Sequence, residues 1–160
     1  GLAEVGVGTL RFFFSGAQVA AEVVDAFWRT GHAPDDLDRI DDARGARAFL
    51  RGVWPLPTVL VGYSFGASLL GGLLGDPDAT HLVMVAPTIG RHAFEEVACS
   101  LLPKLLVTAA DDFACTPDQA DAWMTHAVPP KTHVILQNTE HFYRGAEGRL
   151  VGEIIAWLQT

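Results

Sequence analysis

Thr58-Val59-Leu60-Val61-Gly62-Tyr63-Ser64-Phe65-Gly66 is the stretch that decides the fold. An apolar, β-branched run from Thr58 to Val61 leads into a serine set between two glycines, and a helix is expected to begin near Phe65. A side chain at such a turn is forced into a sparsely populated backbone region, and glycine on either side removes Cβ atoms that would collide there. Ser64 then stands proud of the strand, free to attack a substrate. Taken alone, the pentapeptide also fits an ordinary tight turn with a capping serine. The strand-turn-helix setting is what favours a nucleophile.

Working outward, short apolar runs recur with helix-length segments between them. Thr9 to Phe14, Thr58 to Val61, His81 to Val85, Lys104 to Ala109 and Thr132 to Gln137 read as five buried strands. Their apolar character is continuous rather than alternating, as a parallel sheet covered on both faces requires. Ala17 to Arg29 and Leu37 to Leu50 carry apolar residues at helical spacing and read as amphipathic covers. Phe65 to Leu74 is apolar nearly all round and predicts a buried helix, with Gly71 and Gly72 allowing close approach to the strands. Thr116 to Ala127, with Thr116 as N-cap and Pro117 in the first turn, and Glu147 to Leu158 complete the helices. Gly- and Pro-rich loops join these elements, and no repeat or interdomain linker interrupts them. The pattern predicts one domain over 1–160: an α/β, doubly wound, mostly parallel sheet of about five strands flanked by helices.

The composition narrows the functions open to such a domain. The chain has 160 residues, 49% of them hydrophobic, enough to bury a real core. Eleven basic against 19 acidic residues give a net charge of -8, which repels phosphate backbones and anionic headgroups, so neither nucleic acid nor a membrane surface is an expected partner. Phe65 to Leu74 is about half the length needed to span a bilayer. Cys99 and Cys115 have no metal-ligand spacing, so no disulfide framework or zinc site is expected, and a soluble protein of the reducing cytoplasm fits. Oligomeric state is not legible.

In doubly wound sheets ligands bind beyond the carboxyl ends of the strands, and the chemistry here collects there. Ser64 follows one strand, Asp111 and Asp112 another, and Glu140-His141 a third. Serine is a weak nucleophile near neutral pH and needs a base for its proton; an imidazole with a pKa near 6.5 can serve. His141 is the candidate base, since it alone among the histidines follows a strand and lies downstream of the acid. A carboxylate on its other ring nitrogen would fix the tautomer and stabilise the imidazolium. Asp112 or Asp111 can supply it. His133 sits inside a strand; His32, His81, His92 and His126 read as structural or solvated. Cys115 fits either the pocket wall or the core. Phe142 and Tyr143 flank the base and fit either a hydrophobic acyl pocket or simple packing.

With these residues in place, the chain resembles the α/β-hydrolase family, whose nucleophile elbow is G-x-S-x-G and whose triad runs Ser, acid, His. Gly62-Tyr63-Ser64-Phe65-Gly66 matches the elbow, Leu105 to Asp112 is similar to the strand leading to the acid, and Glu140-His141-Phe142 to the histidine loop. More narrowly, Thr9 to Phe14 and His141-Phe142-Tyr143-Arg144-Gly145 are similar to stretches in small, lidless, dienelactone-hydrolase-like bacterial members. The family's glycine-glutamate-x-aspartate pattern overlays Ala109 to Asp112, which implies Asp112 as the acid, although alanines replace both glycine and glutamate. The resemblance further implies that the Phe65 backbone N–H forms part of the oxyanion hole and that no metal or organic cofactor is used.

One part of the family's site has no counterpart. The second oxyanion donor comes from a loop after the third strand, which usually carries a His-Gly-type motif, and this sequence has none. By the resemblance Thr9 to Phe14 is the fourth strand, so the fold is expected to be N-terminally incomplete. A partial sequence, altered strand pairing or loss of catalysis would each account for this. Residues 17–34 replace a glycine-rich loop and suggest a small helical cap. The expected activity is a serine hydrolase acting on small esters or related acyl substrates through an acyl-enzyme intermediate. A catalytically impaired binding protein, or a peptidase or thioesterase, are the alternatives.

Overall fold

Four of the apolar runs pair as parallel strands: β1 (Thr58–Tyr63), β2 (Ala79–Val85), β3 (Lys104–Asp111) and β4 (Lys131–Glu140), in the order β1-β2-β3-β4. The computed structural model describes residues 2–12, 29 and 36–160. They fall into two compact units, Gly1–Thr9 with Pro57–Thr160, and Leu10–Leu56. The sheet belongs to the first.

Alternation along the strands sends successive side chains to opposite faces, and each face has its own core. Leu60, Leu82, Met84 and Leu106 point to one side, where Ala67, Leu70, Phe94, Val97 and Ala120 cover them. These come from α2 (Phe65–Ser68), the residues after it, α3 (Glu95–Cys99) with Phe94 at its N-cap, and α4 (Pro117–His126). Val83, Val85, Leu105, Val107 and Leu136 point to the other side and meet Ile154, Leu150, Trp157 and Leu158 of α5 (Glu147–Leu158). Burial on both faces explains why the strands read as unbroken apolar runs.

Helix α4 begins as expected: Thr116 Oγ1 accepts from Gln119 N, and Gln119 Oε1 accepts from Thr116 N, with proline at the start of the helix. Helix α5 has the predicted bounds. β1, β3 and β4 run further toward their carboxyl ends than their apolar residues indicated, because backbone pairing continues after the apolar run ends, whereas β2 ends at Val85 as expected and starts two residues earlier.

Two expectations are corrected. Thr9–Phe12 are irregular and join no ladder, with Leu10 and Phe12 exposed, so among the described residues the sheet has four strands, not five; Phe13 and Phe14 lie outside them. A strand persists only where a neighbour takes up its backbone hydrogen bonds, and apolar content alone does not supply one. The single helix over Phe65–Leu74 is broken into α2 and a 3-10 turn, Gly71–Leu73. Gly71 and Gly72 withdraw the side chains that hold a helix together, and a Cβ at Gly71 would lie 2.6 Å from the Glu96 carboxylate of α3.

In the second unit, α1 (Asp36–Val53) contains the predicted Leu37–Leu50 helix and buries Ala43 and Arg47. The helix expected at Ala17–Arg29 and the cap at 17–34 fall outside the described residues, apart from Arg29. Leu2–Val5 forms a 3-10 turn. Among the described residues, no helix is long and apolar enough to cross a membrane.

Candidate active site

Ser64 sits at the carboxyl end of β1 with φ 51° and ψ -120°, a conformation L residues rarely adopt. Three constraints hold it there. Ser64 N donates to Val85 O of β2 at 2.8 Å, Ala67 N donates to Ser64 O at 3.0 Å as α2 starts, and Gly62 lets the helix fold back onto the strand. A Cβ on Gly62 would lie 2.4 Å from Ala67 Cα. Gly66 is different: a Cβ there would meet nothing within 4 Å beyond its own helix. Only the first glycine of the pentapeptide is therefore sterically required, which corrects the expectation that both are.

The carboxyl ends of β1, β3 and β4 bring the three candidate side chains together. Ser64 Oγ lies 3.0 Å from His141 Nε2, and His141 Nδ1 lies 2.9 Å from Asp112 Oδ1. A carboxylate only accepts, so Nδ1 carries the proton and Nε2 turns its lone pair to the Ser64 hydroxyl, which donates. Asp112 Oδ1 also accepts from Ala114 N (2.7 Å) and Cys115 N (3.2 Å). Its Oδ2 is buried and, among the described residues, receives no hydrogen bond. Asp111, the last residue of β3, is exposed and stands opposite Glu140 in the ladder. Of the two adjacent aspartates, Asp112 is the one that reaches the imidazole.

The histidine loop is firmly set. Between the pairs Ala109 with Leu136 and Asp111 with Glu140, Ala110 alone stands opposite Gln137, Asn138 and Thr139. This bulge, with Asn138 at φ 53°, re-aims the end of β4 toward Asp112. Glu140 accepts from Phe142 N through Oε2 (3.0 Å) and from Arg144 N through Oε1 (3.3 Å). Tyr143 is buried beneath the loop, and its hydroxyl donates to Val107 O at 3.1 Å. Tyr143 thus anchors the loop, whereas the Phe142 ring is exposed.

The surroundings of His141 are aromatic. Its ring centroid is 4.5 Å from Phe113, 5.1 Å from Phe142 and 5.7 Å from Tyr63. Tyr63 also donates its hydroxyl to His141 O at 3.0 Å. Burial, and then the charges of Asp112 and Glu140, hold the Tyr63 phenol above its ordinary pKa, so it stays a donor. Phe113 was not singled out in the sequence; its place immediately after Asp112 is the signal that could have found it.

Other candidates take structural places. Cys115 lies in the core beside Leu60 and Ala120, and burial together with Asp112 pushes its thiol up to about 12, so it is no nucleophile near neutrality. His133 does form a second hydroxyl–imidazole–carboxylate chain, with Thr108 Oγ1 at 2.8 Å and Asp121 Oδ1 at 2.9 Å. Thr108 is fully buried, so no substrate can reach it, and the chain ties β3, β4 and α4 together. His92 bonds Thr88 Oγ1 at 2.7 Å and packs edge-on against Phe65. His81 packs against Trp157, and His126 bonds Ala122 O in its own helix. His32 lies outside the described residues.

Solved structures share this architecture. An alpha-beta serine hydrolase homologue from Coxiella burnetii matches with a TM-score of 0.71 at 22% identity, over 80% of this chain and 62% of that one. An alpha/beta hydrolase candidate of unknown function from Agrobacterium tumefaciens gives 0.70 at 23%, over 81% and 62%. A lidless α/β serine hydrolase from Xanthomonas campestris gives 0.63 at 24%, over 72% and 53%. The chain has the α/β-hydrolase fold and spans 62% of the length of the first two of these proteins. No protein-family model matches the sequence, and no curated protein matches it.

Proposed function

We propose that this protein is a serine hydrolase that cleaves small carboxylic esters or related acyl compounds through an acyl-enzyme intermediate. The observation that carries the proposal is the unbroken chain from Ser64 Oγ through His141 to Asp112, with contacts of 3.0 and 2.9 Å. Ser64 attacks the carbonyl carbon while His141 Nε2 takes its proton. Asp112 stabilises the imidazolium that forms. The tetrahedral oxyanion is met by the Phe65 N–H, a contribution of about 3 kcal/mol for a well-placed donor. His141 then passes its proton to the leaving oxygen, and water repeats the sequence to release the acid. The side chains provide nucleophile, base and carboxylate themselves, so the scheme uses no metal or organic cofactor. Two free thiols, Cys99 and Cys115, fit a reducing cytoplasm.

Ser64→Ala is expected to abolish both fluorophosphonate labelling and hydrolysis of a p-nitrophenyl ester. Undiminished labelling of that variant would overturn the assignment. Asp112→Asn should lower kcat by about 10⁴-fold, as loss of the orienting carboxylate does elsewhere. Asp111→Asn, on the exposed neighbour, should stay within about twofold of the parent.

A further inference from the structure

Resting on the hydrolase reading, we infer that Phe113 and Phe142 form a subsite for the alcohol half of the substrate, selecting esters of aromatic alcohols. Large apolar side chains left exposed at one place mark a binding surface more often than chance. In the Pro57–Thr160 part of the chain the exposed large hydrophobics are Val61, Tyr63, Leu101, Phe113 and Phe142. Three of these five are rings packed around His141. Phe113 and Phe142 are 51% and 42% exposed while the imidazole between them is 1% exposed. In this part of the chain the exposed aromatic rings all stand beside His141.

The two phenyl rings pack against each other beside His141, with centroids 6.1 Å apart and planes inclined by 49°. Aromatic rings pair at centroid separations of about 4.5–7 Å, edge to face or offset, so a substrate ring laid on the exposed part of this pair meets aromatic surface next to His141. The chain around both rings is pinned by hydrogen bonds. Phe142 is held by Glu140, which accepts from the peptide N–H groups of Phe142 and Arg144, and its ring carries the Arg144 guanidinium 4.8 Å from its centroid. Phe113 lies between Asp112 and Ala114, whose carboxylate and N–H bond each other at 2.7 Å.

Chemistry assigns this aromatic surface to the alcohol. After the tetrahedral intermediate forms, the bond from the carbonyl carbon to the ester oxygen breaks, and that oxygen takes its proton from His141 Nε2 while the acyl group stays on Ser64 Oγ. The leaving oxygen must therefore come within hydrogen-bond reach of Nε2. Its substituent then lies against whatever flanks the imidazole, and here that is Phe113 and Phe142. The carbonyl oxygen turns instead to the Phe65 N–H.

The test compares kcat/KM of the full chain for benzyl, cyclohexylmethyl and ethyl acetate, which share an acyl group and unactivated leaving groups. The parent should prefer benzyl over ethyl acetate. Phe113→Ala and Phe142→Ala should each lower the benzyl-to-ethyl ratio by about tenfold, and Phe113→Leu, which retains bulk without a ring, should lower the benzyl-to-cyclohexylmethyl ratio. Competitive inhibition by benzyl alcohol, lost in Phe113→Leu, gives a second readout should an alanine variant fold poorly. A parent that hydrolyses all three esters without preferring benzyl, or folded variants with unchanged ratios, would overturn the subsite and leave the hydrolase reading standing. A parent that turns over none of them and takes no fluorophosphonate at Ser64 would overturn both.

Discussion

Gly62 has no room for a side chain, because Ala67 Cα occupies the space where its Cβ would go. Backbone on both sides of such a contact cannot yield cheaply, so Gly62→Ala is expected to destabilise the protein by about 3 kcal/mol and to displace Ser64. Gly66, in α2, faces open space, and alanine there should raise stability by up to about 1 kcal/mol through helix propensity. Urea unfolding of both variants measures the contrast, and equal losses would contradict it. The pentapeptide marks both glycines alike; only the fold-back of α2 onto β1 distinguishes them. Likewise, Asp111 and Asp112 are adjacent and chemically the same, and family spacing favoured the second across two replaced positions. The bonds from Ala114 N, Cys115 N and His141 Nδ1 to Asp112 Oδ1 are what separate them.

At the scale of elements, the end of β4 governs where the imidazole points. The polar residues Asn138, Thr139 and Glu140 lie beyond the expected strand, which ends at Gln137, yet the ladder with β3 resumes at Glu140 after the bulge. Asn138 takes the left-handed conformation that bulge demands, at φ 53°. Asparagine and glycine tolerate it, whereas a β-branched residue is strained by about 1–3 kcal/mol. Asn138→Val should therefore lower the urea midpoint accordingly and reduce ester hydrolysis, while Asn138→Gly should leave stability within about 0.5 kcal/mol. An Asn138→Val protein as stable as the parent would exclude strain at the bulge. Helices with strong local signals, α4 with its capping box and α5 with its apolar face, were legible to within a residue or two. Thr9–Phe12 was not, since a strand depends on a partner that its own residues do not specify.

For the molecule as a whole, buried titrating groups shape the alkaline response. Burial, reinforced by Asp112, pushes Cys115 from its ordinary 9.0 to about 12. Between these values the native state keeps a proton that the unfolded chain loses, so stability is fully present below pH 9 and declines as pH rises toward 12. Burial raises Tyr143 and Tyr63 in the same sense. Lys104, buried with its Nζ donating to Ser100 O and Val128 O, is lowered and opposes them, because its native form sheds the proton first. Urea midpoints from pH 8 to 11 should fall, and fall less steeply in Cys115→Ala; equal slopes would remove Cys115 from the account. The sequence by itself determined the parallel strands, the elbow at Ser64 and the placing of Ser64, the paired aspartates and His141 after successive strands, because apolar patterning and turn chemistry are written in neighbouring residues. The tertiary structure alone decided which aspartate meets His141, that Tyr143 is an anchor and Phe142 a surface ring, and that Phe113 stands beside His141. Those are distances between residues far apart in the chain, and they exist only once the carboxyl ends of β1, β3 and β4 are brought together by the ladder.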